Sequence, residues 1–269
     1  MSSTWTVHKF GGTSLADAGR YRAAGRILLA LELGPGARVA AVVSAMGGVT
    51  DALLESVDLA ARRDGEYLNV TGALKERHLE TIGGLGLGES GRKALTEVVA
   101  SDFKEIEEVL RGVWIARLTS EQIREFVSGY GELWSARFLC AHLSAAGASA
   151  DWLDARRVLA VESGARAVAV DWALSRERLS LWRSEEGGAG IVVVTGYVAS
   201  TADGVATTLK RNGSDYSASI FGALLGAESI TIWTDVDGVL SADPRRVPEA
   251  VVIPELSYQE AAELAYFGA

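Results

Sequence analysis

The chain has 269 residues, 48% hydrophobic and 23% charged, the balance of an ordinary globular protein large enough for one α/β domain or two coupled lobes. A formal charge of −9 argues against a nucleic-acid partner, which would need a basic face to meet phosphates. One cysteine, Cys140, excludes an intrachain disulfide, and the three histidines (His8, His78, His142) show no ligand spacing for a structural zinc.

Residues 4–10 alternate like a strand and turn at Gly11-Gly12, with no long apolar core before them that would read as a secretory leader. The cytoplasm is therefore the expected compartment. A helix is predicted from about Leu15 to Leu33, stopped by Gly34-Pro35-Gly36. Arg38 to Ser44 reads as a buried strand turning at Gly47-Gly48. Residues 51–147 are mostly helical in pattern, with Ile106, Val109 and Leu110 at helix spacing. Gly86 to Gly91 matches GxGxxG but follows a helical stretch, so it is read as a loop and not a dinucleotide fingerprint. Strand-length runs return at Ala167–Val170, Ile191–Thr195 and Ile230–Thr234. Ser257, with Glu260 three residues on, opens a final amphipathic helix.

Apolar strands alternating with helices predict a three-layer αβα sandwich around a mostly parallel open sheet, with ligands beyond the carboxyl ends of the strands. The polar stretch Ser184–Gly190 divides the chain into an N-terminal lobe, 1–185, with a helical insertion over 51–147, and a C-terminal lobe, 186–269. No apolar stretch is long enough to cross a bilayer.

Chemistry is sought in the loops after the strands. Lys9-Phe10-Gly11-Gly12-Thr13-Ser14 puts a cation, unhindered N–H groups and a helix start in one place, which suits a phosphate, or equally a plain turn beside a solvated lysine. Ser44 to Thr50 repeats the arrangement. Glu132 stands among glycines at a helix start, either as a first-turn acid or as a partly buried carboxylate in need of a cation. The densest cluster is Thr208 to Ser217. Arg211 there can fork onto a carboxylate, and Asp215 can cap the helix or orient a neighbour. Asp235 and Asp237 end an apolar strand, where they suit a ribose hydroxyl or hydrated Mg²⁺, and Arg245 suits a phosphate. Walker, protein-kinase and GxSxG signatures are all missing.

In this order the segments resemble the amino acid kinase superfamily, and specifically aspartokinases. Lys9 to Ser14 is similar to the opening KFGGTS, Gly131-Glu132 to the GE segment, and Arg211 to Ser217 and Trp233 to Gly238 to the forms in bifunctional aspartokinases. Tyr258 to Ala261 and Leu264 to Ala269 resemble the same family. The resemblance implies transfer of the γ-phosphoryl group of ATP to L-aspartate, giving 4-phospho-L-aspartate at the head of lysine, threonine and methionine synthesis. It implies ATP and Mg²⁺ as cofactors, with no dedicated metal ligands on the protein.

By the same resemblance Lys9 contacts the transferring group, and Asp215 orients the active groups, Lys9 among them. Ser44, Thr50, Glu132, Arg211, Asn212, Gly213 and Ser214 hold aspartate, with Glu132 on the ammonium and Arg211 on the α-carboxylate. Lys9, Phe10, Gly11, Gly12, Thr234, Asp235, Leu240 and Arg245 hold the nucleotide, with Leu240 standing where the family usually has a tyrosine. Family members continue beyond the position of Ala269 with a KVLHP-like segment, a last strand, and regulatory domains or a second enzyme. An incomplete C-terminal lobe is therefore expected, and a homo-oligomer of the full-length parent. The rival readings are a kinase for a glutamate-like substrate and a nucleotide-binding fragment without turnover.

Overall fold

The computed structural model describes residues 4–32, 34–163, 168–185, 188–210 and 213–267. The chain begins with β1 (Trp5–Phe10), α1 (Ala18–Leu29) and β2 (Arg38–Val43). A helical run follows: α2 (Val49–Ala61), α3 (Tyr67–Gly84), α4 (Glu89–Ala116), α5 (Glu121–Ser128) and α6 (Tyr130–Ala145). Then come β3 (Ala150–Leu153), β4 (Val161–Ser163), β5 (Val168–Val170), α7 (Trp172–Glu185) and β6 (Ile191–Thr195). The remainder is β7 (Val198–Ser200), β8 (Ala206–Thr208), α8 (Gly213–Leu225), β9 (Ser229–Trp233) and α9 (Tyr258–Phe267).

Five strands form one wholly parallel sheet in the order β3-β6-β2-β1-β9. Its centre is β2, where Val39 to Val43 are all buried because helices cover both faces. Strand parity divides those residues between two cores. Val39, Ala41 and Val43 join Phe10 in a core with α1, α2 and α6. Ala40 and Val42 join Trp5 and Val7 in a core with α7 and α8. The αβα sandwich expected from the sequence is what forms. By the same parity Lys9 points to the α8 face, while His8 and Phe10 stack on Trp233 of β9, whose indole N–H donates to His8 Nδ1 at 3.1 Å. Burial lowers the His8 pKa, which suits a neutral ring accepting at Nδ1.

Two sequence expectations are corrected. The helix predicted to reach Leu33 ends at Leu29, with Ala30 still αR at its C-cap, so it stops short of the Gly-Pro-Gly breaker; Leu33 lies outside the described residues. Gly86 to Gly91 is only half loop, because Gly88 serves as an extended N-cap and Glu89 to Gly91 are the first turn of α4. A first-turn acid at a helix N-terminus favours that start. The short strands β3, β4, β7 and β8 were not read from the sequence. Residues 1–233 and 234–269 make two compact units. In the second, Leu240 bridges Val252, and Ser257 and Glu260 exchange the two bonds of a capping box, 3.2 and 2.8 Å, at the start of α9.

The helical insertion packs around His78 of α3. This residue is wholly buried, with its Nδ1 2.6 Å from the Leu74 carbonyl and its ring 4.3 Å from that of Trp134. Among the described residues no hydrogen-bond partner meets Nε2, and desolvation lowers its pKa to about 4. The unfolded chain binds a proton near the usual 6.5 and the folded one does not, so stability falls as pH drops from 6.5 towards 4. Replacing His78 by Leu removes this linkage. Between pH 7 and pH 4.5 the unfolding free energy of His78→Leu should improve relative to the parent by about 2–3 kcal/mol, read from urea transitions at both pH values. An unchanged difference would contradict a neutral, desolvated imidazole.

Candidate functional site

The carboxyl ends of β1, β2 and β6 lie side by side, and the loops leaving them build the site. The two glycine loops touch. Ser44 N–H donates to the Phe10 carbonyl at 3.1 Å and Gly47 N–H to the Gly12 carbonyl at 3.0 Å. A Cβ on Gly12 would lie 2.9 Å from the Ala45 carbonyl oxygen, so no larger residue fits without moving a loop. Arg77 of α3 fastens both loops, donating from Nη1 to Gly47 O and from Nη2 to Ala16 O, each at 2.9 Å.

Lys9 is buried at the end of β1, contrary to the view of a strand-end lysine in solvent. Its Nζ curls over Gly11 and lies 2.7 Å from Asp215 Oδ1 in the first turn of α8, an ion pair out of hydrogen-bond alignment. A lysine held this way is a fixed point charge beside unhindered backbone.

Glu132 stands in the first turn of α6, on the opposite helical layer. Gly131 lets that turn approach the second loop, for a Cβ on it would sit 2.6 Å from the Ala45 Cβ. Glu132 is 2% exposed; Oε1 accepts from Ala45 N–H at 3.1 Å, and Oε2 has no hydrogen-bond partner among the described residues. Burial pushes this carboxyl up to about 8, against the smaller opposing effect of the backbone N–H groups. Among the described residues the carboxylate meets no cation of the kind the sequence reading called for, and it lines an open cleft.

That cleft, about 540 Å³, is walled by Ser44 and Thr50, by Glu132, by Tyr197 and Lys210, and by Gly213 and Ser214 at the start of α8. A cavity of about 570 Å³ between α3 and α4, lined by Tyr67, Lys104, Arg111 and Trp114, lies away from the strand ends and has no such converging glycine loops.

The structure therefore brings together Lys9, Gly11, Gly12, Ser44, Thr50, Glu132, Gly213, Ser214 and Asp215, which are scattered over two hundred positions of sequence. Phe10 contributes its carbonyl, while its ring is packed in the core. Arg211 and Asn212 lie outside the described residues. Thr234, Asp235, Leu240 and Arg245 belong to the second unit. There Thr234 Oγ1 donates to Asp235 Oδ1 at 3.2 Å, Leu240 is half-buried, and the exposed Arg245 pairs with Asp243 at 2.9 Å. Sequence reasoning missed Tyr197 and Arg77. Tyr197 had a signal, since it follows Gly196 at the end of the apolar run Ile191–Thr195; Arg77, in mid-helix, had none.

The family model described as the amino acid kinase family matches residues 4–269. Bifunctional aspartokinase/homoserine dehydrogenase 1, chloroplastic, of Zea mays is 44% identical over 98% of this chain, which covers 28% of that protein. Bifunctional aspartokinase/homoserine dehydrogenase 2 of Escherichia coli (strain K12) is 38% identical over 98% of the chain and 31% of its own length. The crystal structure of E. coli aspartokinase III in complex with aspartate and ADP superposes with a TM-score of 0.85 at 29% identity, covering 98% of this chain and 56% of that one. The chain thus spans under a third of the two bifunctional relatives. With its parallel sheet, touching glycine loops and family-wide match over 4–269, it belongs to the amino acid kinase family.

Proposed function

We propose that this chain carries the aspartate kinase activity of a larger protein, transferring the γ-phosphoryl group of ATP to the side-chain carboxylate of L-aspartate. The observation that carries the reading is a cleft walled by Gly213 and Ser214, next to the Asp215 that pairs with buried Lys9 at the touching glycine loops, and by Glu132, a buried carboxylate that meets no cation among the described residues. The first end suits a phosphate, the second an ammonium group. The named relatives are aspartokinases, and one is a complex with aspartate and ADP, which supports the same choice. The division into lobes at 185/186, the cytoplasmic compartment and a homo-oligomeric parent remain part of this reading.

In it, aspartate sits with its ammonium on Glu132 and its α-carboxylate on Arg211, aided by Ser44, Thr50, Asn212, Gly213 and Ser214. A side-chain carboxylate oxygen attacks the γ-phosphorus; that P–O bond forms as the bond to the β-phosphate oxygen breaks, and ADP departs with its electron pair. The nucleophile is already ionised, so no general base is required, and positioning with charge stabilisation supplies the rate. Lys9, steadied by Asp215, offsets charge on the transferring group. The amides of Gly11 and Gly12 face the phosphates, and Thr234, Asp235, Leu240 and Arg245 hold the rest of the nucleotide. Mg²⁺ would come with the phosphates and neutralise their charge there.

Hydroxylamine trapping with ATP, Mg²⁺ and a panel of acidic amino acids tests the reaction. Acyl hydroxamate is expected with aspartate; signal only with a glutamate-like acid would redirect the substrate, and none with any acid would leave a nucleotide-binding unit without turnover. Lys9→Met should lower kcat by about 10²–10³-fold with the circular dichroism spectrum unchanged, and near-parental turnover would remove Lys9 from the chemistry.

The Glu132 carboxyl gives a pH signature. Its folded pKa, raised to about 8, means its contribution to stability is full below the unfolded value of 4.5 and is lost as pH rises through 8. Glu132→Gln should therefore be the more stable protein at pH 8.5, by about 4–5 kcal/mol at most, yet bind aspartate at least about tenfold more weakly while ATP binding is little changed. Chemical denaturation and calorimetric titration read the two effects; equal loss of both ligands would refute the ammonium assignment.

A further inference from the structure

Lys210 belongs to the cluster that precedes α8, yet the phosphoryl-transfer scheme gives it no task. It is a lysine at φ 62°, in the left-handed region that side chains disfavour. Four bonds hold it there, one of them from its own N–H to Thr208 Oγ1 at 3.4 Å. Its Nζ pairs with Glu121 Oε1 at 2.9 Å and with Glu125 Oε1, and its carbonyl accepts from Gly213 N–H at 3.1 Å. Glu125 is buried, and its second oxygen accepts from Thr207 Oγ1 of β8 at 2.8 Å. The hydrogen bonds to Glu121 and Glu125 outweigh burial and raise the lysine's pKa, so the clasp stays charged.

The two ends of this clasp sit on different walls of the cleft. Glu121 and Glu125 are on α5, which leads through Gly129 directly into α6 and Glu132. Lys210 leads to Gly213, Ser214 and Asp215 at the start of α8, the last of them touching Lys9.

We propose that Lys210 is a positioning residue for the acceptor substrate, its clasp on Glu121 and Glu125 setting the spacing between the Glu132 wall and the Ser214–Asp215 wall. This rests on the reading of the cleft as an aspartate site. A purely structural lysine would serve only to neutralise buried Glu125, and the two roles separate when both partners are removed together.

The test uses the whole chain with Lys210→Met, Lys210→Arg and the double variant Lys210→Met/Glu125→Gln. Lys210→Met should raise KM for aspartate about tenfold and KM for ATP less than about threefold. The double variant, with its buried charge balance restored, should recover the parental Tm but keep the raised KM, and Lys210→Arg should recover both. KM returning in step with Tm in the double variant would overturn the proposal. Amide hydrogen exchange over 206–217 should be faster in both Met-containing variants, with β1 and β2 unchanged. Should the parent form no acyl phosphate from aspartate, the functional reading fails by itself; faster exchange then still supports the clasp, and unchanged exchange overturns it.

Discussion

Gly12 and Ala45 approach so closely that a methyl group between them would meet the Ala45 carbonyl at 2.9 Å, and the amide of Gly47 closes the gap by donating to Gly12. The rest of the cleft is arranged around this contact. The second loop, held against the first, passes its Ala45 N–H to Glu132. Arg77 ties both carbonyl sets from α3, so the helical insertion has a mechanical reason to sit where it does. Backbone polar groups that lack ladder partners are satisfied by one another across the loops.

Electrostatics follow from that geometry and not from the net charge. A chain with formal charge −9 repels anions at long range, and a phosphate must be met by local positive charge. Lys9 provides it, withdrawn from solvent and held by Asp215. On the other layer Glu132 has the opposite arrangement, a buried acid with one oxygen unserved. Ionising it there costs stability, so it keeps its proton up to about pH 8, and a ligand cation is the partner that would favour the charged form.

Much of the architecture was legible in the residues. The buried runs Arg38–Val43 and Ile191–Thr195 have the length and β-branched content of strands covered on both faces, and they are the sheet's centre. The capping box at Ser257 and Glu260 formed as its spacing requires. Helix α1 ended before its breaker because a Gly-Pro-Gly sequence forbids continuation without compelling the helix to reach it. The three- and four-residue strands β3, β4, β7 and β8 carry too few residues for a period to show; β3 is placed by β6, distant in sequence, while β4 and β7 pair with their next strands, β5 and β8.

The sequence alone determined the identities at the strand ends, the glycines that allow close approach, and the ordered motifs that point to a carboxylate kinase. These are local properties, set by side-chain chemistry and backbone freedom within a few residues. Only the tertiary structure decided that Lys9 is buried and paired with Asp215, that Glu132 meets no cation among the described residues, and that Arg77 and Lys210 tie segments together from afar. Burial and pairing depend on which surfaces the folded chain removes from water. That is a property of strand order and helix packing, which residues adjacent in sequence do not encode.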